Sequence, residues 1–223
     1  MNSDYELKNV DPEDIEDLLR KTEESFGIKF EYNEFVYVTN FGQLCDHIIN
    51  KIQVENATGC TSQQAFYKLR NALSEVLNLE KKQITLQLSL KEILPASNRR
   101  TIVKELEYKL GFKLNILFPP TWIILTMVLI FLVSPFLFFY DWRLAVSGLI
   151  ISIGGSLLSN RLGRELNLKT VHQLAEKMSR EDYLMSRRNS STVNRSELEK
   201  LLTNWFKNDL VLDELDRESA IGR

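Results

Sequence analysis

The chain has 223 residues, with 28 Lys and Arg against 30 Asp and Glu, and this near balance argues against a general binder of nucleic acid or other polyanions. Two cysteines without CxxC spacing and two distant histidines, His47 and His172, are too few for a disulfide framework or a metal centre, so no metal ligand is expected. Cys45 reads as a small core residue and Cys60 as a loop thiol. The charge is uneven, with thirteen acidic against five basic side chains in residues 1–60 and ten basic against five acidic in residues 61–118, two halves of opposite sign that could attract each other.

The first residues, MNSDYELKNVDPED, are acidic and polar and lack the basic and then apolar design of a secretory signal. Reducing, cytoplasmic surroundings are therefore expected for the soluble part. An acidic amphipathic helix follows and ends near Gly27, and a short helix over 40–48 has Asn40 as its N-cap. Gln53–Thr61 is polar and reads as a linker. Ser62–Leu77 places Ala65, Phe66, Leu69, Leu73, Val76 and Leu77 on one face, and a helix over Arg99–Leu110 comes next, ending at Gly111.

From Thr121 to Tyr140 the chain reads TWIILTMVLIFLVSPFLFFY, and LAVSGLIISIGGSLLSN follows over 144–160. Neither stretch carries a charge, and the first is long enough for a helix to cross about 30 Å of hydrocarbon. A transmembrane helical hairpin over 119–160 is expected, the other reading being a buried helical pair in a soluble protein. Trp122 at one boundary and Tyr140 and Trp142 at the other are the expected interfacial anchors. Basic residues crowd the flanks (Arg99, Arg100, Lys104, Lys109, Lys113, then Arg161, Arg164, Lys169), which puts both termini on the cytoplasmic side of the membrane, read as a bacterial inner membrane. Arg99, Arg100, Lys104, Lys109 and Lys113 could also meet anionic lipid, or serve topology alone. Gly148, Ser152, Gly155, Ser156 and Ser159 form a small-residue stripe for close helix packing, either within the hairpin or in a homodimer. Pro135 should kink the first leg, and Pro119-Pro120 should stiffen the junction before it. No Asp, Glu, Lys, Arg or His lies within either span, so the hairpin reads as an anchor before a conduit.

Beyond the hairpin, 170–178 reads as a short helix, Ser179–Asn194 as a polar linker, and Ser196–Lys207 as an amphipathic helix with Leu198, Leu202, Trp205 and Phe206 on its apolar face. Sliding the chain by 84 positions brings LLRKTEESFGIKF (18–30) onto IVKELEYKLGFKL (102–114), and NFGQLCDHI (40–48) parallels TVHQLAEKM (170–178). This is an internal repeat whose second copy the hairpin interrupts.

With Glu23-Glu24-Ser25-Phe26-Gly27-Ile28 before Asn40-Phe41-Gly42-Gln43-Leu44, and Glu107-Tyr108-Lys109-Leu110-Gly111-Phe112 before Thr170-Val171-His172-Gln173-Leu174, each copy resembles an acyl carrier protein. The resemblance covers about half the chain. It implies an all-α fold of two small helical bundles plus the hairpin: residues 1–52, lacking a first helix that 195–211 could supply as a circular permutation; residues 61–118 with 161–178; the hairpin at 119–160; a linker at 179–194; and a C-terminal helix with an acidic tail at 195–223. The family's carrier serine, which holds a phosphopantetheine arm, corresponds to Pro12 in the first copy. In the second it falls at Ala96, with Ser97 one residue away. Ser97 lacks the neighbouring Asp and Leu and also reads as a helix N-cap.

The expected function is therefore a non-catalytic, membrane-anchored interaction module, an accessory subunit or a protective partner against a membrane-acting toxin. Its acidic helix, with Asp11, Glu13, Asp14, Glu16, Asp17, Glu23 and Glu24, would dock a basic protein partner or serve only as a solvated face. The alternative is a membrane-tethered acyl or peptidyl carrier modified on Ser97. No Ser-His-Asp set, paired carboxylate motif or Gly-rich phosphate loop points to an enzyme.

Overall fold

The structure, a computed structural model, describes residues 10–221, apart from the side chains of Asn160 and Arg161. Asp4 and Glu6 of the acidic segment and the flanking Arg161 side chain lie outside the described residues. The chain is mostly helical: α1 (Pro12–Phe26), α2 (Phe41–Lys51), α3 (Thr61–Leu77), α4 (Leu90–Ile93), α5 (Arg99–Leu110), α6 (Thr121–Val133), α7 (Trp142–Leu162), α8 (Val171–Glu181), α9 (Tyr183–Ser186) and α10 (Arg195–Asp209). Among the described residues there are also four two-residue strands, β1 (Glu55–Asn56), β2 (Leu117–Phe118), β3 (Glu165–Leu166) and β4 (Thr192–Val193). Contacts divide the chain into two compact units, Met1–Ala72 with Leu110–Phe112 and His172–Arg223, and Leu73–Lys109 with Lys113–Val171.

In the first unit, Asp11 caps α1 by accepting from the Glu13 N–H at 3.0 Å, ahead of Pro12, whose missing N–H costs nothing at a helix start. Leu18 and Phe26 of α1, Phe41, Leu44, Cys45 and Ile48 of α2, and Leu198, Leu202, Trp205 and Phe206 of α10 share one core with Tyr183, Val193 and Leu215. The Phe41 and Phe206 rings lie 5.4 Å apart and those of Phe26 and Tyr183 5.1 Å apart. Each such side chain contributes about 1.5–3 kcal/mol on burial. Cys45 is 1 % exposed, and burial pushes its thiol up to about 12; Cys60 is exposed.

The segment 179–194 reads as a linker from its polarity, yet it carries α9 and β4, with Tyr183 and Val193 both 0 % exposed. Its inward-facing residues can be buried because most of their polar groups are paired, Arg180 Nε being an exception. The Ser25 hydroxyl donates to the Arg180 carbonyl and accepts from the Tyr183 N–H, the Ser186 hydroxyl donates to the Met178 carbonyl, and β4 runs parallel to β1. A stripe of apolar residues is not required where hydrogen bonds offset the cost of desolvation.

In the second unit, Leu73, Ile84, Leu90, Leu94, Ile102, Val103, Leu106, Leu114 and Ile116 are buried. Arg99, one of the flanking basic residues that could meet lipid, is only 4 % exposed. Its guanidinium donates to the carbonyls of Leu94 and Arg164, so its length and fork of donors serve to tie two loops together. The hairpin rises from an antiparallel ladder in which Leu117 faces Leu166 and Phe118 faces Glu165. The first leg continues from α6 into a 3-10 segment, Ser134–Phe139, that begins at the expected Pro135 break. Thirteen residues at 1.5 Å and six at 2.0 Å make this leg about 31 Å long, and the 21 residues of α7 give about the same length.

Certain backbone arrangements occur twice. α1 and α5 each run into a left-handed glycine, Gly27 at φ 62° and Gly111 at φ 85°. Four residues earlier, the Glu23 carboxylate accepts from the Phe30 N–H and the Glu107 carboxylate from the Leu114 N–H. At the start of α2, the Phe41 N–H donates to the Ser219 carbonyl and the Ile221 N–H to the Thr39 carbonyl; at the start of α8, Val171 donates to Leu88 and Leu90 to Lys169. α10 and α3 are each followed by a non-glycine residue with positive φ, Val211 at 52° and Asn78 at 53°.

Two predictions follow from the packing. Truncation after Asn194 strips Leu198, Leu202, Trp205 and Phe206 from the core, so α1 and α2 should lose their amide protection in hydrogen exchange of the detergent-solubilised protein; protection equal to that of the full chain would contradict the shared core. A Cβ on Gly163 would lie 2.4 Å from the Phe118 backbone, whereas one on Gly154 meets nothing within 4 Å. Gly163→Ala should therefore lower stability by about 1–3 kcal/mol, and Gly154→Ala should leave it unchanged or raise it by up to about 1 kcal/mol, both read from thermal unfolding.

Candidate functional site

The most extensive surface feature is the outside of the hairpin. Leu125, Leu129, Leu132, Phe136, Ile150, Leu157 and Leu158 are all exposed, and only 6 % of the first leg and 11 % of the second is buried. Trp122 at the base and Tyr140 and Trp142 at the tip are exposed as well, at 68 %, 87 % and 61 %. Inside, the legs meet through small residues. A Cβ on Gly148 would lie 2.2 Å from the Ser134 hydroxyl, and one on Gly155 2.7 Å from the Met127 sulfur. The Ser152 hydroxyl donates to the Met127 carbonyl at 2.8 Å and that of Ser134 to Ile130 at 2.7 Å. Gly148, Ser152 and Gly155 of the small-residue stripe thus face the companion leg, while Ser156 is exposed and Ser159 half-buried.

The acidic residues of α1 do not form a uniform face. Asp11 caps the helix, Asp17 pairs with Arg20 at 2.8 Å, and Glu23, half-buried, holds the Phe30 N–H. Glu13, Asp14, Glu16 and Glu24 remain exposed and are the carboxylates a partner could reach.

Ser97 is exposed in the turn before α5. Asn98, not Ser97, directly precedes the helix, and its carbonyl accepts from the Ile102 N–H. A phosphopantetheine arm would have room on Ser97. The surroundings do not fit it otherwise: Arg99 and Arg100 open the helix where the resemblance calls for an acidic one, and Arg99 is turned inward.

Two charged clusters were not legible in the linear pattern. In the loop between α1 and α2, the Glu34 carboxylate takes the Lys51 ammonium and His47 Nε2, the latter at 2.6 Å. Phe35 packs edge-on between Phe30 and His47. Burial alone would raise the Glu34 carboxyl, but the hydrogen bonds from Lys51 and His47 outweigh it and bring it down to about 2. In the second cluster, Arg187, 3 % exposed, donates to Thr192 Oγ1, Thr61 Oγ1 and the carbonyls of Gly59 and Ala57. Thr61 bonds in turn to the Tyr183 hydroxyl and the Glu197 carboxylate. This guanidinium clasps the loop 57–61 to the 183–194 segment. Its partners in the 57–61 loop are more than 120 residues away, so no local spacing could have revealed them.

The Glu34 cluster sets a pH dependence. Its carboxyl is more acidic in the folded chain than in the unfolded one, so its contribution is complete above about pH 4.5 and is lost as pH falls through about 2. Glu34→Gln should therefore destabilise the protein at pH 7, with the gap from wild type closing between about pH 4.5 and 2 in denaturant titrations; a gap that does not change with pH would contradict this. No protein-family model, curated protein or solved structure matches the chain.

Proposed function

We propose that this chain is a membrane-anchored, non-catalytic interaction module, held in the bilayer by the 119–160 hairpin with both termini cytoplasmic. The observation that carries this reading is the bare apolar surface of the two hairpin helices, 6 % and 11 % buried. A helical pair in the core of a soluble protein would have these side chains covered. Left in water, each large one forfeits about 1.5–3 kcal/mol, and together they exceed the 5–15 kcal/mol by which a folded domain is stable. The length of about 31 Å per leg and the aromatic residues at both ends suit a bilayer.

The recurring backbone arrangements support a second part of the reading, that the helical chain outside the hairpin consists of two copies of one carrier-like bundle. On this reading α10 and the tail take the place in the first copy that α3 and the following loop take in the second, so that the first copy is a circular permutation. The first copy has Pro12 at the carrier-serine position, and the second has Ser97 without its acidic context, so the bundles serve to bind a partner. The exposed carboxylates of α1 are the surface for a basic one, steered by charge.

The native cysteines provide the test. Cys60 is exposed, and Cys45 is buried with its thiol held well above the ordinary range, so a membrane-impermeant maleimide should label the chain once, at Cys60, in inside-out vesicles. It should leave the chain unlabelled in intact cells, and alkaline carbonate should not extract the chain from membranes. Labelling of Cys60 in intact cells would overturn the topology, and release by carbonate would overturn the anchor.

A further inference from the structure

We propose that the groove between α3 and the Arg187-Arg188 segment is a binding site for an anionic group of the phosphate type. Gln64, Tyr67, Lys68 and Asn71 form one wall at helical spacing, Arg187 and Arg188 form the other, and the hollow measures about 280 Å³. A neighbouring hollow of about 400 Å³ shares Gln64, Tyr67, Arg187 and Arg188. No carboxylate lines either one. The volume accommodates a phosphate with a small substituent and lies just below the usual range for ligand pockets.

The cations here are short of negative charge. Arg187 donates only to neutral oxygens; the nearest carboxylate in its network, Glu197, reaches it through the Thr61 hydroxyl. The Lys68 ammonium donates to the Met185 carbonyl and stands 5.9 Å from the Phe112 ring centroid, and burial lowers its pKa. Arg188 anchors its backbone to the Gln64 side chain at 2.8 Å, while its exposed guanidinium makes no ion pair among the described residues. Arg70 adds a further positive charge, stacked 4.7 Å from the Tyr67 ring centroid, with its buried Nε unpartnered.

Positive groups gathered and partly desolvated in this way repel one another until an anion joins them. The exposed guanidinium fork of Arg188 matches the oxygens of a phosphate, the buried Arg187 adds its positive charge while its donors hold the protein, and the Tyr67 hydroxyl and Asn71 amide add neutral donors. The groove lies wholly within the first unit, so the inference does not depend on how the hairpin is placed.

The test is thermal unfolding of the full chain in neutral detergent, titrated with sodium phosphate against sodium chloride at matched ionic strength. Phosphate should raise the midpoint saturably and chloride should not. Arg188→Gln and Lys68→Gln should each weaken the apparent affinity at least about tenfold, while Lys104→Gln, outside the groove, should match wild type. Repeating the titration in phosphatidylcholine vesicles with and without phosphatidic acid separates the sources: competition by the acidic lipid assigns the site to a headgroup, and its absence assigns the site to a soluble phosphate. The proposal is overturned if phosphate acts no differently from chloride, or if the two groove variants respond as wild type does.

Discussion

The ladder between Leu117–Phe118 and Leu166–Glu165 is the constraint on which the rest of the structure depends. It joins the two ends of a 46-residue excursion, so the chain leaves the helical body and returns to it at one place. Gly163 makes this junction possible, since its backbone lies against Phe118 with no space for a side chain. Arg99 reinforces it by bonding the Arg164 carbonyl. With the base closed, Gly148, Ser152 and Gly155 bring the legs together over their length, and the large apolar side chains can only point outward. Close packing inside and apolar exposure outside are two results of the same closure.

In the first unit, cohesion depends on residues that are remote in the chain. Segments from both ends of the sequence build one core, and the tail returns to pair with Thr39 and Phe41 at the start of α2. A core assembled from both ends closes a long loop, and the entropy this costs has to be recovered from large buried aromatics such as Trp205, Phe206, Phe41 and Tyr183. Polar groups are buried too, but as networks: the Arg187 guanidinium meets hydroxyls and carbonyls, and Ser25 both donates and accepts. Such networks tolerate burial only when nearly every member is paired.

Several backbone devices occur twice in the chain with different side chains. Gly27 and Gly111 end their helices in the left-handed region, where a Cβ would be costly. Glu23 and Glu107 then turn back to hold the chain just past that glycine. A carboxylate in this position, though it lies on a helix rich in acidic residues, is occupied by the backbone and is not available to a partner. Four of the acidic residues on α1 differ from it in being exposed without such a duty.

The sequence by itself determined the helical class, the two apolar legs and their aromatic ends, and the glycines that stop α1 and α5. All of these rest on local rules: periodicity, charge-free length and left-handed backbone, each readable within about 20 residues. It also showed the apolar face of α10. Tertiary structure alone decided what that face covers, that Tyr183, Ser186, Arg187, Thr192 and Val193 of the polar 179–194 segment are buried, that Arg99 turns inward, and that Arg187 meets Thr61. These outcomes depend on hydrogen bonds and packing between residues from 65 to more than 150 positions apart. A polar stretch and a buried polar network have the same composition, and only the presence of partners in space tells them apart.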